Sequence, residues 1–234
     1  RGTARKDLPL LGCPYLDVYA ARAEQVGVPE PRTILVAPTW GRNGLLTRTG
    51  SLVPKLLASA GYHVILRPHP QSFISDREVM ERVAADLQTC KNVEWDRNPD
   101  GFSSLSRASL MVSDVSGVIF DFAFVFLRPV ISVGNGPLKE GFEAWEIPHE
   151  AWEMKALDQI GRRVPAGNES VIPTMVEEML GDLTTQTEAI RRVRDENVVN
   201  FGHAGGPIAD ALVAAAQAHS VQLQSSLHSS VEAA

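Results

Sequence analysis

Residues 108–121 have the sequence Ala-Ser-Leu-Met-Val-Ser-Asp-Val-Ser-Gly-Val-Ile-Phe-Asp, an apolar run that ends in small and acidic residues and then resumes at helical spacing. This pattern predicts a buried strand that leads directly into the N-terminus of a helix. Backbone N–H groups at a helix N-terminus have no intrahelical partner and carry the positive end of the helix dipole, so they bind phosphate readily. The same residues also allow a purely structural interpretation, in which Ser116 caps the helix and Asp114 closes the strand.

Segments of strand character alternate with segments of helix character on both sides of this stretch. The other predicted strands, some with the loop that follows, are residues 34–40, 63–70, 93–95 and 129–133. The predicted helices are residues 52–60 behind a cap at Ser51, 76–87, 102–106, 171–180 and 186–197, and a last helix that ends near Ala216. Five strands separated by helices predict an α/β fold with a doubly wound, parallel, Rossmann-like sheet.

Ligands of such a sheet bind outside the carboxyl ends of its strands. Unusual residues collect at four of these ends: Trp40 and Arg42, Arg67 and His69, Asp114 and Ser116, and Gly134-Asn135-Gly136. Because parallel strands end at the same edge, we expect these positions to converge on one crevice.

Composition and charge exclude several classes of protein. The formal net charge of -6 argues against a nucleic-acid partner, which requires a cationic surface. No apolar stretch is long enough to cross a bilayer and no leader opens the chain, so we expect a cytoplasmic protein. Cys13 and Cys90 lie far apart and the histidines are scattered, so we expect neither a metal site nor a cofactor.

The chain is predicted to have three parts. Residues 1–32, broken by glycines and prolines, are expected to be a linker and packing segment, and residues 33–216 the Rossmann-like domain. Residues 217–234 are expected to form a disordered tail. Because the sequence does not begin with Met, we expect it to be a piece of a longer protein.

Four short motifs occur in the same order as in a known family. They are Ala37-Pro38-Thr39-Trp40, Arg67-Pro68-His69-Pro70, the segment 113–121, and Gly141-Phe142-Glu143-Ala144-Trp145-Glu146. From about Arg32 to Leu212 the chain resembles the C-terminal half of the CDP-glycerol glycerophosphotransferases, teichoic-acid polymerases and primases of GT-B architecture. The resemblance implies a domain that binds a nucleotide-activated donor.

The resemblance also implies roles for individual residues. His69 would contact the donor pyrophosphate, and Ser116 with its neighbouring amides would hold a phosphate. Glu143 or Glu146 would lie near the ribose or the cytosine. The chain departs from the family at Gly117, where a second serine is usual, and in the last turn, so CDP-ribitol or a UDP-sugar is an alternative donor.

The residues give independent reasons for some of these roles. His69 lies between two prolines that fix its backbone, so its imidazole is held at a strand end, where it can donate a hydrogen bond to phosphate. Arg67 points to the same strand face, and its fork suits phosphate oxygens. The alternatives are a loop histidine bonded to a carbonyl and an arginine paired with an acidic neighbour.

Other candidates have equally plain alternatives. The Trp40 ring is expected either to stack on a base or to edge the core, and Asp114 either to contact ligand or to order its turn through backbone amides. We expect Asp121, inside an apolar helix, to have a supporting role. Gly202, His203 and Gly205 either approach a phosphate or only bend the chain.

We therefore expect the donor-binding half of a glycerophosphotransferase, with His69 and Arg67 as catalytic residues. An acceptor hydroxyl on a polymer or lipid-linked acceptor would attack the β-phosphate of CDP-glycerol, and CMP would leave. The resemblance places the general base in an N-terminal half, which would also account for a peripheral contact with the inner face of the cell membrane. The alternatives are a GT-B glycosyltransferase or epimerase-like enzyme that uses a UDP-sugar, and a non-catalytic interaction domain.

Overall fold

The computed structural model describes residues 9–134 and 152–232. These residues fall into two compact units. We call residues 25–194 the sheet unit, and residues 9–24 together with 195–232 the helical unit.

The sheet unit is built on six described strands that pair in parallel. They are β1 (Thr33–Val36), β2 (His63–Leu66), β3 (Val93–Trp95), β4 (Leu110–Ser113), β5 (Val130–Val133) and β6 (Gly161–Val164). Their spatial order is β3-β2-β1-β4-β5-β6. The direction of winding reverses between β1 and β4, which is the topological switch point where open α/β sheets bind their ligands.

The sheet unit carries most of the described helices. They are α2 (Leu45–Thr49), α3 (Leu52–Ser59), α4 (Ser72–Ser75), α5 (Arg77–Leu87), α6 (Phe102–Arg107), α7 (Val118–Phe126), α8 (Trp152–Ile160), α9 (Ile172–Gly181) and α10 (Leu183–Asn197), whose last residues belong to the other unit. A short 3-10 helix (Glu169–Val171) precedes α9.

The core lies on both faces of the sheet because side chains alternate along each strand. In β1, Ile34 and Val36 point into a cluster that also contains Val53 and Leu57 of α3 and Val176 of α9. The residues that point to the opposite face of the sheet are fully buried as well. Examples are Leu35 in β1, Ile65 in β2 and Met111 in β4. The two-sided burial confirms the predicted α/β fold with a doubly wound parallel sheet.

The sixth strand, β6, is an addition to the five strands that the sequence predicts. Its sequence Gly161-Arg162-Arg163-Val164 has no apolar run, because it lies at the edge of the sheet and exposes both arginines. Arg162 pairs with Glu178 and Arg163 with Asp158. Only pairing with β5 reveals this segment as a strand.

The helical unit contains α1 (Pro14–Ala23) and α11 (Gly205–Glu232). The Asp17 carboxylate accepts hydrogen bonds from the amides of Ala204 (3.1 Å) and Gly205 (2.8 Å), so it caps the start of α11. The segment expected to be a linker therefore carries a helix, and α11 continues through the segment expected to be a disordered tail. The predicted boundaries after residues 32 and 216 do not coincide with those of the two units.

No helix in the described ranges is both long enough and apolar enough to cross a membrane.

Candidate functional site

The Asp114 carboxylate joins the two strands of the switch point. Asp114 directly follows β4, and its two oxygens accept the backbone N–H groups of Thr39 (2.8 Å) and Leu45 (2.6 Å), which lie at the two ends of the loop after β1. The Asp76 carboxylate accepts a third amide of the same loop, from Gly41, at 2.7 Å. The loop between β1 and α2 is therefore fixed by carboxylates from two other parts of the fold.

Asp114 is buried, with 3% of its surface exposed. Burial raises the pKa of its carboxyl, while the amides of Thr39 and Leu45 and the positive charge of Arg48 act in the opposite direction. These contacts give Asp114 the role of ordering the loop after β1, whereas the sequence had suggested that it orders its own turn.

The N-terminus of α7 follows Asp114 and is open. Its N-cap position is Gly117, and no side chain of the described residues caps the helix, so the structural alternative in which Ser116 is the cap does not hold. Among the described residues, none accepts the amides of Ser116, Gly117 or Val118. A Cβ atom at Gly117 would meet no atom of residues 9–134 or 152–232 within 4 Å, and Gly117 is exposed.

Trp40 and His69 meet at the carboxyl ends of β1 and β2. Their ring centroids are 6.3 Å apart with an interplanar angle of 34°. The His69 amide donates to the Pro38 carbonyl at 3.3 Å, which holds the two loops together. Trp40 keeps 47% of its surface exposed, so it does not edge the core but presents an aromatic face at this rim.

The orientation of the His69 ring is set by its own loop. The Gln71 backbone N–H donates to Nδ1 of His69 at 3.1 Å, so Nδ1 is an acceptor and the ring hydrogen lies on Nε2. His69 is exposed and thus offers an Nε2–H donor at the carboxyl edge of the sheet.

Arg67 is paired with an acidic side chain, which was the structural alternative to phosphate binding. Its Nη1 donates to the Asp96 carboxylate at 2.6 Å, and its Nη2 donates to the Pro99 carbonyl at 3.4 Å. Asp96 also accepts the Ser104 hydroxyl and the Asn98 amide, and these bonds together hold the pKa of its buried carboxyl below the ordinary value. The described contacts of Arg67 order the loop after β3, because its fork is directed at protein oxygens.

The remaining predicted site residues belong to the helical unit or lie outside the described residues. Gly202, His203 and Gly205 belong to the helical unit, where the Gly205 amide is bonded to Asp17 rather than open to an anion. Glu143 and Glu146 lie outside the described residues.

Sequence reasoning did not single out Arg48 in α2. Its Nε donates to the Asn43 carbonyl and its Nη2 to the Val133 carbonyl, both at 2.9 Å, so it links the loop after β1 to the end of β5. The sequence signal was weak, because Arg48 follows no strand directly and stands in a polar stretch.

Asp121 lies in the first turn of α7. Burial raises the pKa of its carboxyl from the ordinary 3.8 to about 6.

In the part of the chain that the structure describes, no group of three or more His, Cys, Asp or Glu side chains is arranged to hold a metal ion.

No protein-family model matches the chain. A comparison with curated proteins also finds no match.

Solved structures show the fold class. The wall teichoic acid polymerase TagF, as a variant soaked with CDPG for 30 minutes, matches with a TM-score of 0.54 at 19% identity, over 89% of this chain and 51% of that chain. A putative UDP-N-acetylglucosamine 2-epimerase from Listeria monocytogenes matches with a TM-score of 0.52 at 13% identity, over 89% of this chain and 53% of that one. The likeness confirms the predicted Rossmann-like fold of GT-B enzymes, and this chain spans about half the length of these structures.

Replacing Asp114 by alanine is expected to lower the free energy of unfolding by about 2–4 kcal/mol, because two buried loop amides lose their carboxyl acceptor. Urea unfolding followed by circular dichroism measures the change. Asp158→Ala is the matched control, since it removes a carboxylate from an exposed ion pair and should change the free energy by less than about 1 kcal/mol. Equal effects of the two substitutions would contradict the tethering role of Asp114.

Replacing Asp121 by asparagine is expected to raise the melting temperature at pH 7.5 and to raise it only about a third as much at pH 4.5. The folded-state pKa lies above the unfolded value, so the wild type loses stability as pH rises from about 3.8 to about 6, and asparagine avoids this loss. At pH 7.5 the substitution should raise the free energy of unfolding by about 1–2 kcal/mol, a figure reduced to allow for the partial solvent exposure of Asp121. Differential scanning calorimetry at both pH values tests it, and an equal gain at the two would speak against a buried charge.

Proposed function

We propose that the sheet unit binds the donor of a glycerophosphotransferase that uses CDP-glycerol. The observation that carries the proposal is the N-terminus of α7 at the β1/β4 switch point, on the same edge of the sheet as the exposed rings of Trp40 and His69. This combination offers unpaired amides for a diphosphate and an aromatic face for a base. The four motifs noted in the sequence and the fold shared with TagF support the same donor.

The proposed reaction is transfer of glycerol phosphate. The oxygen of an acceptor hydroxyl forms a bond to the β-phosphorus of CDP-glycerol, and the bond from that phosphorus to the bridging oxygen breaks. CMP leaves with the electron pair of the broken bond. The acceptor proton passes to a general base that we expect in a part of the enzyme beyond the sheet unit.

The residues of this chain would act on the donor side. The amides of Ser116, Gly117 and Val118 lie at the N-terminus of α7, so the helix dipole would stabilise negative charge on phosphates bound there. His69 would donate its Nε2–H to an oxygen of the diphosphate, since its Nδ1 is already used by Gln71. Arg67 would act through Asp96, by holding the loop after β3.

The identity of the donor is tested by a thermal-shift panel of CDP-glycerol, CDP, UDP and UDP-sugars. We expect CDP-glycerol and CDP to raise the melting temperature, and His69→Ala to weaken their binding by about tenfold or more. His63→Ala is the matched control, because His63 lies at the opposite end of β2 and pairs with Glu94. Stabilisation by uridine compounds alone would favour a GT-B enzyme that uses a UDP-sugar, and no shift in a folded sample would favour an interaction domain.

The proposed contact between the backbone amide of Gly117 and a phosphate is tested by a pair of substitutions at Gly117. Its φ of -58° suits proline, which removes the N–H, whereas alanine keeps the N–H in the same open space. We expect Gly117→Pro to weaken CDP binding by about tenfold and Gly117→Ala to change it less than about twofold. Isothermal titration calorimetry measures both, and equal affinities of the two variants would refute a phosphate contact at this amide.

A further inference from the structure

The positive charges along the carboxyl edge of the sheet differ in what they are bonded to. Arg67 is neutralised by the Asp96 carboxylate. Arg97 lies over the rings of Phe73 and Trp95, 4.9 and 5.4 Å from their centroids. Arg48, in contrast, is held by two backbone carbonyls, which carry no net charge.

The guanidinium of Arg48 is fixed in place and still has donors left. Its Nε and Nη2 are used by the carbonyls of Asn43 and Val133. Its Nη1 makes no hydrogen bond within the described ranges, and the residue is exposed. An arginine with two anchored nitrogens loses little side-chain entropy when its remaining N–H groups bind an anion.

The end of β5 is shaped to admit this guanidinium. Gly134 follows Val133 at a φ of +129°, and a Cβ atom there would lie 3.0 Å from Nη2 of Arg48. Glycine at this position therefore allows both the backbone conformation and the close approach. The approach places the Arg48 charge over the ends of β4 and β5, on the same edge as the turn after Asp114.

A positive charge is needed at this place if a diphosphate binds. Asp114 lies two residues before Ser116, and in its ionised form its carboxylate would repel an incoming anion. Arg48 is the cation that acts on Asp114, where its charge favours the carboxylate. The same cation would thus offset the repulsion and attract the ligand.

We propose that Arg48 is a phosphate-binding residue of the site, with its Nη1 directed at the donor diphosphate. The inference rests on the proposed function, and it assigns to Arg48 the contact that the sequence had suggested for Arg67. Nη2 and Nε keep the guanidinium in register with β5 and the loop after β1, and the ligand completes the set of hydrogen bonds. The ligand class is a diphosphate, either free or as part of a nucleotide.

The test measures the affinity of the 234-residue chain for CDP, cytidine and inorganic pyrophosphate by isothermal titration calorimetry. Arg48→Met removes the charge and keeps much of the apolar stem, whereas Arg48→Lys keeps the charge and loses the fork. We expect Arg48→Met to weaken CDP and pyrophosphate by about 10- to 100-fold and cytidine by less than about twofold, with Arg48→Lys in between. Arg162→Met is the control for net charge, because Arg162 is exposed and paired with Glu178.

The outcomes separate this inference from the proposed function. If Arg48→Met and the wild type bind CDP equally, the Arg48 contact is refuted and the nucleotide site stands. If Arg48→Met weakens cytidine as much as CDP, Arg48 only supports the loop and the inference is again refuted. If the folded wild type binds none of the three probes, both proposals fall. Should Arg48→Met fail to fold, Arg48→Lys takes its place. A lysine there is expected to bind CDP more weakly than arginine does and with a stronger dependence on salt. If Arg48→Lys binds CDP as tightly as the wild type at both high and low salt, the contact is refuted.

Discussion

The geometry of the candidate site depends on one buried carboxylate. Asp114 accepts the amides of Thr39 and Leu45, so the end of β4 and the loop after β1 form a single rigid rim. The strands β1 and β4 are neighbours in the sheet and form its switch point. A looser connection would leave the Trp40 ring and the turn at Ser116 free to move independently.

Close packing of the loop after β1 adds a second constraint. A Cβ atom at Gly44 would lie 2.6 Å from the Thr39 carbonyl oxygen, so the loop folds back on itself more tightly than another residue would allow. Asp76 fixes the middle of the loop through Gly41. The site is thus built from backbone groups held by carboxylates, and the positive charge comes from side chains around them.

Much of the fold could be predicted from the sequence because the central strands are buried on both faces and have continuous apolar runs. The segments 34–36, 64–66 and 110–112 are examples, and all of their residues are fully buried. The edge strand β6 could not be predicted, since its two arginines face solvent. The helix α1 was also missed, because the glycines and prolines around it obscured ten helical residues.

The sequence by itself determined the α/β class, the parallel sheet and the positions of the loops that carry His69, Asp114 and Ser116, because burial and chain order fix these features. Only the tertiary structure decided which charges are available, since a partner can come from any part of the chain. In the folded chain Arg67 pairs with Asp96, and Asp17 caps α11. Arg48 donates hydrogen bonds to the carbonyls of Asn43 and Val133. Those pairings join residues 29 to 188 positions apart, except for the local bond to Asn43, and no local pattern reveals them.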